Sequence, residues 1–447
     1  MQTELIARHS APVPRYTSYP TAPHFVPTIA AEDYACWLRE LPADTATSLY
    51  VHIPFCEKLC WYCGCNTKAT EKYEPVAKYL DALAAERATI SGMIGNVARI
   101  THMHWGGGSP SILSADDILK LTDGLRRQFR FDAAAEVAVE VDPRTITLDK
   151  IKAFVSGGFN RVSVGVQDFS DTVQEAINRL QGFDTTRDAI DGFRSAGIGS
   201  VNIDLVYGLP RQTLARLEET VSKVITLAPD RIALFGYAHL PARIVHQRMI
   251  ADADLPNSVE RFAQANRAAN MLTDAGYIRI GLDHFARPDD SLATGTIRRN
   301  FQGYTTDTAE TLIGLGASSI GRLEQGYVQN ATAVGEYARR VLSGGLATVK
   351  GRAFTDEDRA RGHVIEDLLC NLRFSAPEMI ARYGAAGRRL AEDARRVVAS
   401  DRDGLVAAVS DDGSFEVTEK GRHFLRSICA CFDAYLGQGT ATHATGV

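Results

Sequence analysis

The chain has no apolar run long enough to cross a membrane, no low-complexity tract and no repeat at solenoid spacing. Strong charge of one sign is missing too. Its 49 basic and 54 acidic residues leave a net charge of −5, too mixed a field to recruit nucleic acid or an acidic membrane surface. Met1 to Pro12 lacks an apolar h-region, so we expect no secretory export and no disulfide framework. A second cysteine pair of the kind structural zinc uses is absent, because Cys36, Cys370, Cys429 and Cys431 are scattered. What remains reads as a cytoplasmic globular protein of 447 residues, one large domain with one or two appendages. At 45% hydrophobic residues it can build a sizeable core.

Cysteine is instead concentrated in the run Cys56-Glu57-Lys58-Leu59-Cys60-Trp61-Tyr62-Cys63-Gly64-Cys65. The spacing C-x3-C-x2-C lets Cys56, Cys60 and Cys63 place three thiolates around one compact inorganic centre. A [4Fe-4S] cube held by three cysteines keeps one iron open for an exchangeable ligand. Radical S-adenosylmethionine chemistry uses that opening. The iron binds the amino and carboxylate groups of the methionine part, and an added electron breaks the sulfur–carbon bond to give a 5'-deoxyadenosyl radical.

From residue 48 to about 238 short apolar strands alternate with helical segments. The strands are Leu49-Ile53, Ile100-Trp105, Val137-Val141, Arg161-Val166, Val201-Val206 and Ile232-Phe235. Helical spacing falls in Tyr73-Ile90, Ser114-Gln128, Leu148-Val155 and Arg211-Leu227. Six such units predict an α/β fold with a parallel sheet curled into a partial (β/α)6 barrel, its function gathered at the strands' carboxyl ends. Every strand does end in glycine, a polar side chain or both. The first runs into the cysteine loop, and the second into Gly106-Gly107-Gly108-Ser109-Pro110. The third closes at Glu140-Val141-Asp142-Pro143, the fourth at Gln167-Asp168, the fifth at Asp204 and the sixth near Ala238. Three glycines let backbone amides approach a ligand, although most glycine triplets are only tight turns. Glu140 and Asp204 can accept hydrogen bonds from ribose or amino groups, and each could equally be a cap or a solvated charge. Gln167 and Arg179 add donors, with a surface salt bridge the plain alternative for Arg179.

Two further features are not read as sites. His102 and His104 alternate on one strand without a third ligand, so packing or hydrogen bonding is expected. Gly314-Leu315-Gly316-Ala317-Ser318-Ser319 lacks the third glycine and the βαβ context of a dinucleotide fingerprint. Beyond about residue 350, Thr355 to Leu372 and Ala376 to Val398 read as helices. A hairpin over 404–417 and a last helix from about Glu419 to Leu436 follow, a winged-helix-like order. Its acidic residues dilute any DNA-reading stripe. Cys429 and Cys431 are expected to be buried free thiols.

Taken together these segments resemble the oxygen-independent coproporphyrinogen III oxidases (coproporphyrinogen dehydrogenases), radical S-adenosylmethionine enzymes of haem biosynthesis. The likeness runs from Arg15-Tyr16-Thr17-Ser18-Tyr19-Pro20 through His52-Ile53-Pro54-Phe55-Cys56, Glu140-Val141-Asp142-Pro143-Arg144 and Asn300-Phe301-Gln302-Gly303-Tyr304 to Ile428-Cys429-Ala430-Cys431. The resemblance implies a radical-SAM barrel core over 48–350. It also implies an N-terminal extension over 1–47 that covers the substrate, and a mostly helical, winged-helix-like domain over 351–447. It implies Cys56, Cys60 and Cys63 as cluster ligands, with Cys65 essential but not a ligand. Two S-adenosylmethionine molecules are implied, the first met by Tyr50, Gly107, Glu140 and Ile320. The second is met by Tyr62, Gly108, Ser109, Gln167, Arg179, Asp204 and Ala238. Tyr62 and Ser109 depart from the commoner phenylalanine and threonine while keeping a ring and a hydroxyl.

The implied reaction turns two propionates of coproporphyrinogen III into vinyl groups, giving protoporphyrinogen IX. A low-potential electron donor and an electron acceptor are its partners, with neither nucleic acid nor membrane, and a monomer is expected. Gln302 is the candidate for substrate handling. Arg15, Arg287 and the Arg298-Arg299 pair are candidates for holding substrate carboxylates. A haem-binding chaperone of the same radical family is the alternative. Its members generally lack the extra cysteine and the Arg-Tyr-Thr-Ser-Tyr-Pro segment seen here.

Overall fold

A computed structural model describes residues 2–438. The six expected strands form, each longer than its apolar run: β1 (Thr45–Ile53), β2 (Ala98–Gly107), β3 (Arg130–Val141), β4 (Arg161–Gln167), β5 (Ser200–Tyr207) and β6 (Arg231–Gly236). They lie parallel in chain order. Alternation along each strand sorts the side chains: on β1, Val51 and Ile53 are fully buried, while Ser48 and Tyr50 face the site.

The helices pack outside the strands and begin where the sequence supplies caps. Ser114 accepts from the Asp117 amide at 3.2 Å, opening Ala115–Gln128 with acidic residues in its first turn and Arg126 and Arg127 in its last. Thr147 and Thr213 cap Leu148–Ser156 and Leu214–Thr226 in the same way. Beneath them Trp105, Phe154 and Phe159 meet edge to face, with ring centroids 4.9–6.3 Å apart.

The sheet is larger than six units. After β6 come β7 (Ile278–Ile280), β8 (His284–Ala286), the hairpin of β9 (Arg298–Asn300) and β10 (Gly303–Thr305), and β11 (Thr311–Leu315). The series ends with β12 (Ile320–Leu323), β13 (Gly326–Asn330) and β14 (Thr348–Ala353). All but the hairpin extend one twelve-stranded sheet, in the order β14-β13-β12-β11-β1-β2-β3-β4-β5-β6-β8-β7. β11 is a seventh parallel strand against β1, and the other added strands pair antiparallel.

The C-terminal region departs from expectation in detail. Asp356–Asn371 is one helix, but the next breaks at Gly384 (φ +54) into Ala376–Tyr383 and Ala385–Ser400. β15 (Arg373–Phe374) joins the hairpin of β16 (Val406–Ala408) and β17 (Phe415–Val417) as a third strand. The last helix is two short ones, Glu419–Arg422 and Leu425–Ala430. A second core forms here around Phe374, Phe415 and Phe432, and Leu5 and Ile6 of the N-terminal helix join it. Tyr16 Oη donates to Asp433 at 3.1 Å and Tyr19 Oη accepts from the Ala434 amide at 2.9 Å, so residues 16–19 are tied to residues 433–434. Cys429 is buried as expected, whereas Cys431 is exposed. No helix of the described residues is long and apolar enough to cross a membrane.

Candidate active site

The carboxyl ends of β1 to β6 open on one cavity of about 680 Å³. Cys56, Cys60, Cys63, Cys65, Tyr50, Tyr62, Gly107, Gly108, Ser109, Glu140, Gln167, Arg179, Asp204, Ala238 and Gln302 all line it. Ile320, half-buried at the start of β12, is not among its lining residues.

The cysteine loop is fixed from several sides. Phe55 and Cys56 pair with Lys68 and Ala69, closing its base, and Cys56 Sγ lies 3.3 Å from Thr67 Oγ1. The Trp61 amide donates to the Ile177 carbonyl at 3.0 Å, and Asn178 Nδ2 to the Leu59 carbonyl at 2.9 Å. On the far side His246 Nε2 is 2.7 Å from the Cys63 carbonyl. Buried Gln247 donates to the carbonyls of both Tyr62 (3.0 Å) and Ala238 (3.1 Å), tying two site residues to one side chain. The Cys65 amide donates to Cys63 Sγ at 3.4 Å.

Guanidinium groups stand behind the loop. Arg179 Nη1 lies 3.5 Å and Arg144 Nη2 3.8 Å from Cys60 Sγ, and both contact Asp142. Burial works against the charge on Arg179, but Asp142, Tyr62 and Cys60 together more than offset it and the guanidinium stays protonated. Its Nε is buried with no hydrogen-bond partner. Arg179 also donates to the Gly165 carbonyl at 2.7 Å, beside Gln167, a non-glycine residue held at φ +71.

The two carboxylates differ. Burial opposes ionisation of Glu140, yet the His104 ring at 2.9 Å and the Gly107 amide hold its carboxyl below the usual glutamate value. Asp204 is pushed up to about 6 by burial and by the nearby Glu140 charge. Hydrogen bonds from Ser163 (3.0 Å) and Asn202 (2.8 Å) act the other way. The site thus sets one carboxyl held below its usual value beside one raised to about 6.

The glycine run serves packing first. A Cβ on Gly106 would stand 2.9 Å from the Glu140 carboxylate, and one on Gly107, at φ +114, 2.6 Å from the His52 ring. Gly106 thus makes room for the Glu140 carboxylate, which lines the cavity, and Gly107 for the buried His52 ring.

His102 and His104 are hydrogen-bonded as expected, to Asp307 (3.0 Å) and Glu140 (2.9 Å). Of the candidate arginines, Arg15 lines the cavity. Arg287 lies on the surface beside Asp289, outside the cavity, and Arg298 is held by Glu310 and Glu366. Asp142, Arg144 and Gln247 were not foreseen. The first two stand in the quoted Glu140–Arg144 segment, whose strand-end position was the available signal; Gln247 carries no local signal.

The donor set fits an iron–sulfur cube with an open iron. Three thiols line one wall, and no fourth cysteine other than Cys65 is near in sequence. Three irons need ligands set further apart than one zinc does. Among the described residues no three His, Cys, Asp or Glu side chains are grouped so that they could hold a single metal ion.

Comparison with known proteins agrees. Residues 50–224 match the family model of the radical SAM superfamily. An oxygen-independent coproporphyrinogen III oxidase of Bradyrhizobium diazoefficiens is 46% identical over 439 residues, 97% of each chain. The Escherichia coli protein of that name is 40% identical, over 97% of this chain and 95% of its own. The solved structure of coproporphyrinogen III oxidase from Escherichia coli, described as a radical SAM enzyme, superposes with a TM-score of 0.89. It covers 94% of this chain and 97% of its own.

Proposed function

The chain belongs to the oxygen-independent coproporphyrinogen III oxidases of the radical SAM superfamily, and on that premise we propose that it oxidatively decarboxylates two propionates of coproporphyrinogen III to vinyl groups, yielding protoporphyrinogen IX. Its cofactors are a [4Fe-4S] cluster and two molecules of S-adenosylmethionine. The observation that carries the reading is the meeting of three loop thiols with Glu140, Asp204 and Arg179 across one cavity.

A propionate β-carbon has no acidic hydrogen and no leaving group, so acid–base catalysis offers little. When bound, the cluster and S-adenosylmethionine would supply the radical chemistry that removes a propionate β-hydrogen, with CO2 and one electron then leaving the substrate to the acceptor. Cys56, Cys60 and Cys63 hold the iron, and the Cys65 amide orients the Cys63 sulfur. Tyr50, Gly107, Glu140 and Ile320 would bind the first nucleoside. Tyr62, Gly108, Ser109, Gln167, Arg179, Asp204 and Ala238 bind the second. Glu140, held below its usual value by His104 and the Gly107 amide, would accept from the first nucleoside's amino group, and Arg179 would hold the second one's carboxylate. Gln302 positions the substrate over them, and the segment 1–47 closes the site from water. A low-potential donor and an acceptor complete the electron flow, with a cytoplasmic monomer as the working form. The haem-carrier alternative lacks comparable support, since the relatives aligned over nearly the whole chain are named as oxidases.

Anaerobic reconstitution tests the site directly. The reduced cluster's electron paramagnetic resonance signal should change when S-adenosylmethionine is added; an unchanged signal would mean the open iron is not where the nucleoside binds.

A further inference from the structure

Gln247 sits in the turn Val245–Met249, which follows β6 and meets the cysteine loop. The residue is 1% exposed and lines the active-site cavity. Its Nε2 carries two protons, and both are engaged: one by the Tyr62 carbonyl at 3.0 Å, the other by the Ala238 carbonyl at 3.1 Å. Its Oε1 accepts from the Leu240 amide at 2.6 Å. The turn has contacts of its own. The Gln247 N–H donates to the Ile244 carbonyl at 3.0 Å, and the Ile250 N–H to the Gln247 carbonyl at 3.1 Å. Just after β6, the two ring nitrogens of His239 lie 2.8 Å from Tyr237 Oη and 2.9 Å from Asp252.

The two carbonyls belong to distant parts of the chain and to one proposed ligand set. Tyr62 lies between Cys60 and Cys63 in the loop after β1, and Ala238 lies just beyond β6. β2 to β5 separate β1 from β6 in the sheet, so no ladder pairing fixes that loop against the end of β6. A single buried amide spans the gap. Burial makes such an amide costly unless its polar atoms are paired, and here the pairing itself defines where the two carbonyls stand. The residues proposed for the first nucleoside are Tyr50, Gly107, Glu140 and Ile320, and Gln247 bonds to none of them. His246 holds the Cys63 carbonyl separately at 2.7 Å, so the loop keeps a contact with the turn when the Gln247 amide is removed.

We propose that Gln247 is a positioning residue for the second S-adenosylmethionine: by holding the Tyr62 and Ala238 carbonyls on one amide, it sets the spacing of the pocket between the cysteine loop and the end of β6. The inference rests on the proposed function and adds to it a residue that assembles one nucleoside site independently of the other. Gln247 acts through Tyr62 and Ala238, whose carbonyls it occupies, and not through the cluster or the first nucleoside.

The test measures S-adenosylmethionine binding to anaerobically reconstituted full-length protein by equilibrium dialysis, alongside the reduced cluster's electron paramagnetic resonance. Gln247→Met keeps the length of the side chain and loses all of the amide's hydrogen bonds. Gln247→Glu keeps the acceptor for the Leu240 N–H and loses both donors. Each should weaken the second equivalent about tenfold, while the first equivalent and its effect on the resonance signal stay as in wild type. Two equivalents bound at wild-type affinity in both variants would overturn the assignment. So would a matching loss of both equivalents, which marks a general support of the fold. Wild-type protein gives a reading that does not depend on how a variant folds. Raising bound S-adenosylmethionine from one to two equivalents should slow hydrogen exchange at the Leu240 amide and in the cysteine loop together, and slowing in only one of them would overturn the coupling. Failure of the proposed function looks different: wild-type protein would bind two equivalents and release no CO2 from coproporphyrinogen III.

Discussion

Arg179 and Asp142 form an ion pair with 3.3 Å between Nη1 and Oδ2, side chains 7% and 12% exposed, directly behind the cysteine loop. The same carboxylate takes Arg144 at 2.6 Å, so one anion organises two cations that both reach Cys60.

Asp142→Asn leaves those two guanidiniums without their counter-charge. We expect it to destabilise the protein by about 2–3 kcal/mol in chemical denaturation. Arg144 and Arg179 hold the Asp142 carboxyl below the usual aspartate value. Its contribution is therefore present above the ordinary carboxylate range and lost as pH falls through the lower folded-state value. The difference between wild type and variant should shrink toward acid; a difference that is constant with pH would remove the ion pair from the account.

Glu86 is fully enclosed under the loop that joins β11 to β12. It accepts from the Gly316 amide (2.7 Å), Tyr337 Oη (2.7 Å) and Asn330 Nδ2 (2.6 Å). Burial nevertheless pushes its carboxyl up from 4.5 to about 7. A raised acid binds its proton more tightly when folded, so its contribution is full below 4.5 and is lost as pH rises through 7. Glu86→Gln puts an amide among three donors. It should cost about 1–3 kcal/mol at acid pH and remove the wild type's decline in melting temperature across that window. Parallel melting curves for the two proteins from pH 4 to 8 would contradict the assignment.

Gln302 lies between β9 and β10 and lines the cavity, and its backbone N–H donates to Asn300 Oδ1 at 2.9 Å. Gln302→Ala should abolish turnover while the cluster's absorption and its response to S-adenosylmethionine stay as in wild type. Normal turnover would remove Gln302 from substrate handling.

How far the chain could be read from its residues depended on how local each signal is. The six barrel strands were legible because each is a short apolar run closed by a turn. The cysteine loop and the strand-end residues were legible because parallel sheets present ligand groups there. β11 was not, because Thr311 to Leu315 is buried throughout and shows no alternation, and the glycines after it read as a loop. Gly384, one glycine in a helical pattern, gave little warning that it would turn to φ +54 and break the helix.

Anaerobic turnover of the reconstituted protein tests the central claim most directly. Coproporphyrinogen III, S-adenosylmethionine and a low-potential reductant are supplied, and porphyrinogen product, CO2 and 5'-deoxyadenosine are quantified together. The account predicts protoporphyrinogen IX, with CO2 and 5'-deoxyadenosine rising in step. Deoxyadenosine without CO2, or neither product from protein whose cluster is intact, would contradict it.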